Sequence, residues 1–147
     1  MAADLEALRA SLIAATGPDG VRDDPEDLAF YGTDRCRGGW PVRPSLVVFP
    51  RSVAEVQAVV RACAAHGVPI VPSGGRTGLA GAATATAGEV VLSLERMQRI
   101  LAVDPAARTL RCEAGATLQA VQEAAAAAGL LYPVDYASKG SAQIGGS

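Results

Sequence analysis

The residues best suited to chemistry in this sequence form a glycine-rich segment, PSGGRTGLAG, at residues 72–81. Four of its last eight residues are glycines. Glycines let consecutive backbone N–H groups converge on one point, and they let a bulky anion approach the backbone closely. Ser73 and Thr77 add hydroxyl groups, and the guanidinium of Arg76 adds a fork of donors. The segment therefore predicts a binding site for a pyrophosphate.

Two familiar phosphate motifs do not fit this segment. Neither GxxxxGK[ST] nor GxGxxG can be laid on its residues, and residues 82–88 lead into a strand instead of a helix. A P-loop and a nicotinamide site are both disfavoured for this reason. A surface turn without a ligand remains open on glycine density alone, because glycine-rich stretches are also ordinary turn material. The secondary structure around the segment is needed to distinguish a binding loop from such a turn.

A strand-helix-strand unit precedes the glycine-rich segment. The apolar run at residues 46–49 predicts a buried strand, and Ser52 with Glu55 forms a capping box that begins a helix. Apolar residues mark one face of this helix as far as His66, and Gly67 predicts its end. A second buried strand is expected at residues 69–72. The unit implies a parallel sheet, with the glycine-rich segment at the end of the second strand.

The remaining pattern is less regular. Three short apolar runs, at residues 89–94, 100–103 and 109–113, lie too close together for helical crossovers and are expected to pair antiparallel. A helix is predicted from Thr117 to Gly129, followed by a polar, glycine-bearing tail.

The N-terminal third of the chain shows one clear element. The spacing of its leucines predicts a helix over residues 3–15. Residues 19–44 are interpreted as a long connector with a possible helical turn at residues 25–31.

Composition limits the class of protein. The 147 residues are 50% hydrophobic, which is enough for one domain core, and the net charge of -2 gives no electrostatic footprint for nucleic acid or anionic lipid. Small molecules are therefore the expected partners. Three cysteines without a CxxC spacing indicate neither a disulfide framework nor a zinc site. The acidic first residues and the lack of a long apolar stretch predict an untargeted, cytoplasmic protein with no membrane span.

Four segments in this order resemble the FAD-binding domain of the vanillyl-alcohol oxidase/p-cresol methylhydroxylase (PCMH-type) superfamily. They are PSGGRTGLAG, VVLSLERMQRILAVD, EAGATL and YPVDYASKGSAQIGG. The sequences of these four segments are most similar to those of the D-lactate, glycolate and D-2-hydroxyglutarate dehydrogenase branch. The resemblance covers residues 44–147, so that residues 1–43 are expected to be an N-terminal helix and connector. It implies an α+β fold in which a small parallel strand-helix-strand subdomain precedes the start of a mixed or antiparallel sheet with flanking helices.

The resemblance also implies which residues bind FAD. One group wraps or shapes the loop around the pyrophosphate: Pro72, Ser73, Gly74, Gly75, Arg76, Thr77, Gly78, Leu79 and Gly81. A second group passes along the ribityl chain and flavin ring: Pro133, Asp135, Gly140, Ser141, Ile144, Gly145 and Gly146. On composition alone, the second group is also consistent with an ordinary polar loop.

Arg76 stands where several members of the superfamily carry a histidine that attaches flavin covalently, so non-covalent FAD is implied. The only histidine, His66, ends a helix and is assigned no role. Ala142 and Ser147 replace a cysteine and an asparagine that are usual in the family. No catalytic residue and no metal ligand can be named, because the cap domain that supplies substrate-binding groups and a metal site in this branch is not part of these residues.

The leading hypothesis is an FAD-dependent oxidoreductase that oxidises a 2-hydroxy acid by hydride transfer to flavin. A reductase of UDP-sugar precursors shares the fold, but its glycine loop is expected to have a different sequence. A third possibility is a truncated flavin-binding fragment without activity. Arg35, Arg37 and Arg43 are the clustered cations nearest a loop, and they are interpreted as a solvated face. The substrate and the electron acceptor are not specified by these residues.

Overall fold

A computed structural model describes residues 4–36 and 38–147. Its helices are α1 (Leu5–Thr16), α2 (Pro25–Tyr31), α3 (Val53–His66) and α4 (Leu118–Ala127), with short 3-10 turns at Pro18–Gly20 and Ile144–Gly146. Its strands are β1 (Val21–Arg22), β2 (Leu46–Val48), β3 (Ile70–Ser73), β4 (Val90–Ser93), β5 (Ile100–Asp104) and β6 (Thr109–Cys112). The strands form a four-stranded sheet in the order β1-β2-β4-β3 and a separate β5-β6 hairpin. The predicted α+β class is therefore confirmed.

Strand β4 lies in the middle of the sheet, and here the prediction from the sequence is wrong. The run at residues 89–94 was expected to pair antiparallel with the two runs that follow it. Instead β4 runs parallel to both β2 and β3 and separates them. All four of its residues are buried, as suits a central strand covered on both faces. Residues 74–89 exceed the dozen or so residues that a parallel crossover needs, even though they form no helix.

Helix α3 follows the capping signals in its sequence. The Ser52 hydroxyl accepts a hydrogen bond from the Glu55 N–H at 3.2 Å, and the Glu55 carboxylate accepts one from the Arg51 N–H at 2.8 Å. The helix ends at Gly67, whose φ of 65° is in the left-handed region that favours glycine. The α3 residues Val59 and Cys63 are buried against the sheet. Local signals alone thus fix the strand-helix-strand unit that delivers β3 to the site.

The N-terminal segment is part of this same core. Leu8 and Leu12 of α1 have no exposed surface and pack with α3 and the sheet. The connector predicted at residues 19–44 contains a strand that the sequence analysis missed, β1, which pairs antiparallel with β2 at the sheet edge. Its possible helical turn at residues 25–31 is a complete helix, α2, capped by Asp24. Residue 3 of the predicted N-terminal helix lies outside the described residues.

The C-terminal elements surround the hairpin of β5 and β6, whose antiparallel pairing is confirmed. Glu113, immediately after β6, accepts hydrogen bonds from the backbone N–H, Nε and Nη2 of Arg99 at 2.9, 3.0 and 2.6 Å. These bonds lower the pKa of the Glu113 carboxyl and join the two ends of the hairpin. Helix α4 then begins at Thr117, whose hydroxyl accepts a hydrogen bond from the Ala120 N–H.

Replacing Leu12 should destabilise the whole sheet, because its side chain fills the core between α1 and α3. We expect Leu12→Ala to lower the free energy of unfolding by about 2–5 kcal/mol, measured by urea denaturation followed by circular dichroism. Leu5→Ala is the matched control in the same helix, since Leu5 is 45% exposed. Equal losses for the two variants would show that α1 is not part of the cooperative core.

Candidate functional site

The two segments predicted to bind a ligand meet in the structure. The backbone of Gly75, in the loop after β3, approaches the backbone of Ser141 and Ala142 so closely that a Cβ at Gly75 would overlap the Ser141 carbonyl and lie 3.1 Å from the Ala142 Cα. No other residue type fits at this contact without moving one of the segments. The sequence analysis explained this glycine by the approach of a ligand, whereas its nearest neighbour is the protein's own backbone.

The loop presents a run of free donors. Among the described residues, none accepts a hydrogen bond from the backbone N–H groups of residues 74–78. Arg76 has a φ of 52°, so the loop includes a left-handed residue of the kind found in anion-binding nests. Five consecutive amides without protein acceptors are suited to an anion, since a backbone N–H that is neither solvated nor paired is costly.

A cleft of about 460 Å³ lies between the two segments. Residues from the glycine loop form one side, and residues from the second segment form the other. Several lining residues were not predicted from the sequence, namely Asp34, Ala82, Ala83, Tyr136, Ser138, Ala142, Gln143 and Ser147. A sequence signal existed for Gln143, because it stands inside the SAQIGG motif. No signal marked Asp34, which lies far from the motifs along the chain.

The guanidinium of Arg76 is held against the aromatic side chains of α2. It lies 4.3 Å from the centroid of the Phe30 ring and 4.6 Å from that of Tyr31. These cation–π contacts orient the arginine at the cleft wall. The Tyr31 hydroxyl donates a hydrogen bond to Glu95 at 3.0 Å. Burial, with this carboxylate, raises the pKa of Tyr31 to about 12, so the hydroxyl stays protonated at neutral pH.

Residues 32–36 support the glycine loop from outside. The Arg35 N–H donates to the Gly78 carbonyl at 3.1 Å, and the Ala85 N–H donates to the Gly32 carbonyl at 2.9 Å. Asp34 accepts a hydrogen bond from the Cys36 N–H at 2.7 Å. Arg35 also lines a neighbouring cavity of about 470 Å³ with Leu79 and Gly140. Arg35 and Arg43 are exposed, as expected of a solvated face, and Arg37 lies outside the described residues.

The structure does not place every predicted residue on the cleft. Asp135 is bound to Lys139 at 3.2 Å, and Ile144 lines an apolar groove against α4 and the hairpin instead. Gly81 packs against the ring of Trp40, and Gly145 packs against Ala114. The cleft lining also lacks five other predicted residues, which are Ser73, Leu79, Pro133, Gly140 and Ser141. For every predicted residue, including those that line the cleft, direct contact with a ligand remains a prediction.

Two absences, of a metal-ligand cluster and of a membrane-spanning helix, concern the described residues. Across residues 4–36 and 38–147, no group of three or more His, Cys, Asp or Glu side chains is placed to hold a metal ion. Within the same ranges, no helix is long and apolar enough to cross a membrane. His66 lies on a separate surface groove beside Pro69 and Gly88, and not on the cleft.

Comparison with known proteins identifies relatives of the chain. A sequence family described as FAD binding domain matches residues 44–147. A D-2-hydroxyglutarate dehydrogenase of Xanthomonas citri pv. viticola is 50% identical over 127 residues, which are 86% of this chain and 27% of that protein.

Solved structures show the same fold. An alkyldihydroxyacetonephosphate synthase superposes with a TM-score of 0.85 at 23% identity, over 95% of this chain and 28% of that one. A p-cresol methylhydroxylase superposes with a TM-score of 0.76 at 26% identity, over 93% of this chain and 27% of that one. The predicted PCMH-type fold is confirmed, and the chain spans about a quarter of the length of these proteins.

Two glycines of the loop should differ in their tolerance of a methyl group. We expect Gly75→Ala to lower the free energy of unfolding by about 1–3 kcal/mol or more, because the methyl group overlaps the Ser141 backbone. Gly78→Ala should leave stability unchanged or raise it by up to about 1 kcal/mol, since a Cβ there has only an ordinary contact, 3.6 Å from Asp34 Oδ2. Urea titrations of both variants provide the measurement. A stable Gly75→Ala variant would mean that the two segments are not in contact.

Proposed function

This chain belongs to the FAD-binding domain family, and on that premise we propose that the cleft between residues 72–81 and 133–147 is its FAD site. The observation that carries the proposal is the run of five backbone N–H groups without protein acceptors, at residues 74–78, facing a second glycine-bearing segment. Such a run suits the two negative charges of a pyrophosphate. The relative described above is named as a D-2-hydroxyglutarate dehydrogenase, and this name supports an oxidation of a 2-hydroxy acid.

The residues of the cleft fit this cofactor in shape and in polarity. A Cβ at Gly78 has only one ordinary contact, and a Cβ at Gly146 has no neighbour within 4 Å, so neither glycine is needed to make room for another part of the protein. Space of this kind is available to a bound molecule. The buried Ser73 hydroxyl and the Gln143 side-chain oxygen have no partner among the described residues, and both belong to the segments that form the cleft.

In this proposal the chain's own residues bind and orient the cofactor. Residues 74–78 hold the pyrophosphate through their amides, and the Arg76 guanidinium adds positive charge from the cleft wall. Flavin supplies the redox chemistry when it is bound, as the acceptor of a hydride. Among the described residues that line the cleft there is no histidine, and the one carboxylate is that of Asp34. Because Arg76 is not a nucleophile for flavin, the attachment is non-covalent.

For the complete protein we propose an FAD-dependent dehydrogenase of a small 2-hydroxy acid. The support is the 50% identity to a relative named for D-2-hydroxyglutarate. The second candidate is a flavin-binding fragment without activity, which is favoured by the fact that the chain spans only 27% of that relative.

The purified 147-residue chain should bind FAD reversibly. We expect saturable quenching of flavin fluorescence, and we expect all the flavin to appear in the supernatant after acid precipitation. Gly146→Val should weaken binding at least tenfold without loss of folding, because the added side chain projects into the cleft. Ala126→Val, on an exposed face of α4, adds similar bulk elsewhere and serves as the control. Wild-type affinity in the Gly146 variant, or flavin that precipitates with the protein, would contradict the proposed site or the non-covalent attachment.

The same chain should show no turnover. With FAD, D-lactate or D-2-hydroxyglutarate and an artificial electron acceptor, we expect dye reduction at the rate of the protein-free control, because the chain spans only 27% of the D-2-hydroxyglutarate dehydrogenase that it resembles. A longer protein that carries the remaining three quarters of the relatives' length should reduce the dye. Substrate-dependent reduction by the 147-residue chain would place catalytic groups within these residues.

A further inference from the structure

Gln143 combines burial with an unused hydrogen-bonding group. The residue is 8% exposed, and its side-chain Oε1 has no hydrogen-bond partner among the described residues. Its backbone, in contrast, is firmly held. The Gln143 carbonyl accepts hydrogen bonds from the Gly146 N–H at 3.1 Å and the Ser147 hydroxyl at 3.2 Å, and residue 143 bridges Thr117 in an antiparallel pair. The side chain is therefore fixed at its base, while the amide at its tip is unsatisfied.

Gln143 lies beside the glycine loop. It is among the residues that line the cleft, and Oε1 lies 3.2 Å from the position that a Cβ on Gly74 would occupy. Ser73, the neighbour of Gly74 in the chain, is 1% exposed, and its hydroxyl also has no partner in the described part of the chain. Two orphaned polar side chains thus flank the first glycine of the loop, one from each segment that forms the cleft.

An arrangement of this kind is unfavourable in the protein by itself. Nearly all buried polar groups in folded proteins have hydrogen-bond partners, and an amide that lacks one is destabilising. A leucine or methionine would fill the same space without that penalty. Buried polar groups without partners occur mainly at functional sites, where a ligand completes their hydrogen bonds. Gln122 provides the contrast on the same side of the fold, since its Nε2 donates to the Val134 carbonyl at 2.8 Å.

We propose that Gln143 is a cofactor-binding residue, whose side-chain oxygen accepts a hydrogen bond from bound FAD in the cleft. An orphaned acceptor requires a donor, and at neutral pH the donors of FAD are its ribityl and ribose hydroxyls and the N–H groups of its rings, whereas the pyrophosphate has none. Gln143 therefore recognises a part of FAD other than the pyrophosphate that residues 74–78 hold. This inference rests on the proposed function of the cleft.

The test compares three variants of the 147-residue chain. Gln143→Met and Gln143→Leu remove the acceptor with side chains of different shape, and Gln122→Met removes an amide that is already satisfied. Urea denaturation without FAD measures the stability of each variant, and fluorescence quenching measures the Kd for FAD. We expect at least one Gln143 variant to match or exceed wild-type stability while its Kd rises about tenfold. Gln122→Met should lower stability and leave the Kd within about twofold of the wild-type value.

The outcomes that would overturn the role of Gln143 differ from the one that would overturn the proposed FAD site. If both Gln143 variants lose as much stability as Gln122→Met without FAD, the amide is a structural group and the inference is overturned. If both bind FAD with wild-type affinity, the inference is also overturned, while the proposed FAD site stands. If the wild-type chain binds no FAD, the proposed function fails and the role of Gln143 fails with it.

Discussion

The close approach of the Gly75 backbone to the carbonyl of Ser141 is the contact on which the site depends. It joins two loops that are separated by most of the C-terminal half of the chain, and it leaves no room for a Cβ on one side. Each loop is carried by its own framework, the parallel sheet for one and helix α4 with the hairpin for the other. Because the contact is between backbones, its geometry is set by those frameworks and not by adjustable side chains. The cleft is therefore preformed.

The support of the glycine loop comes largely from the N-terminal segment. Helix α2 supplies the rings that hold the Arg76 guanidinium, and the residues after it bind the Gly78 carbonyl. A loop rich in glycine has few side chains with which to stabilise itself, and the loss of backbone entropy on ordering is largest for glycine. Contacts from a distant segment offset this loss. The N-terminal segment thus contributes to the site as well as to the core.

The groups that line the cleft differ in charge and in burial. Residues 74–78, the Arg76 guanidinium held by the α2 rings and the neutral residue Gln143 all line the cleft. A neutral amide can be buried without the large penalty that a second charge would carry. In the proposed FAD site, the amides and the guanidinium recognise charge, and Gln143 recognises an uncharged part of the cofactor.

Local sequence determined the elements whose signals lie within a few residues of each other. The Ser52 and Glu55 caps and the stop at Gly67 predicted structure correctly, because capping and left-handed backbone depend on near neighbours. Tertiary structure alone decided that β4 enters the sheet between β2 and β3, since a four-residue apolar run suits a hairpin and a parallel sheet equally well. It also decided that Gln143 is buried without a partner and that Asp34 reaches the cleft. Those facts depend on which distant segments meet, and hydrophobic period and turn residues do not encode that.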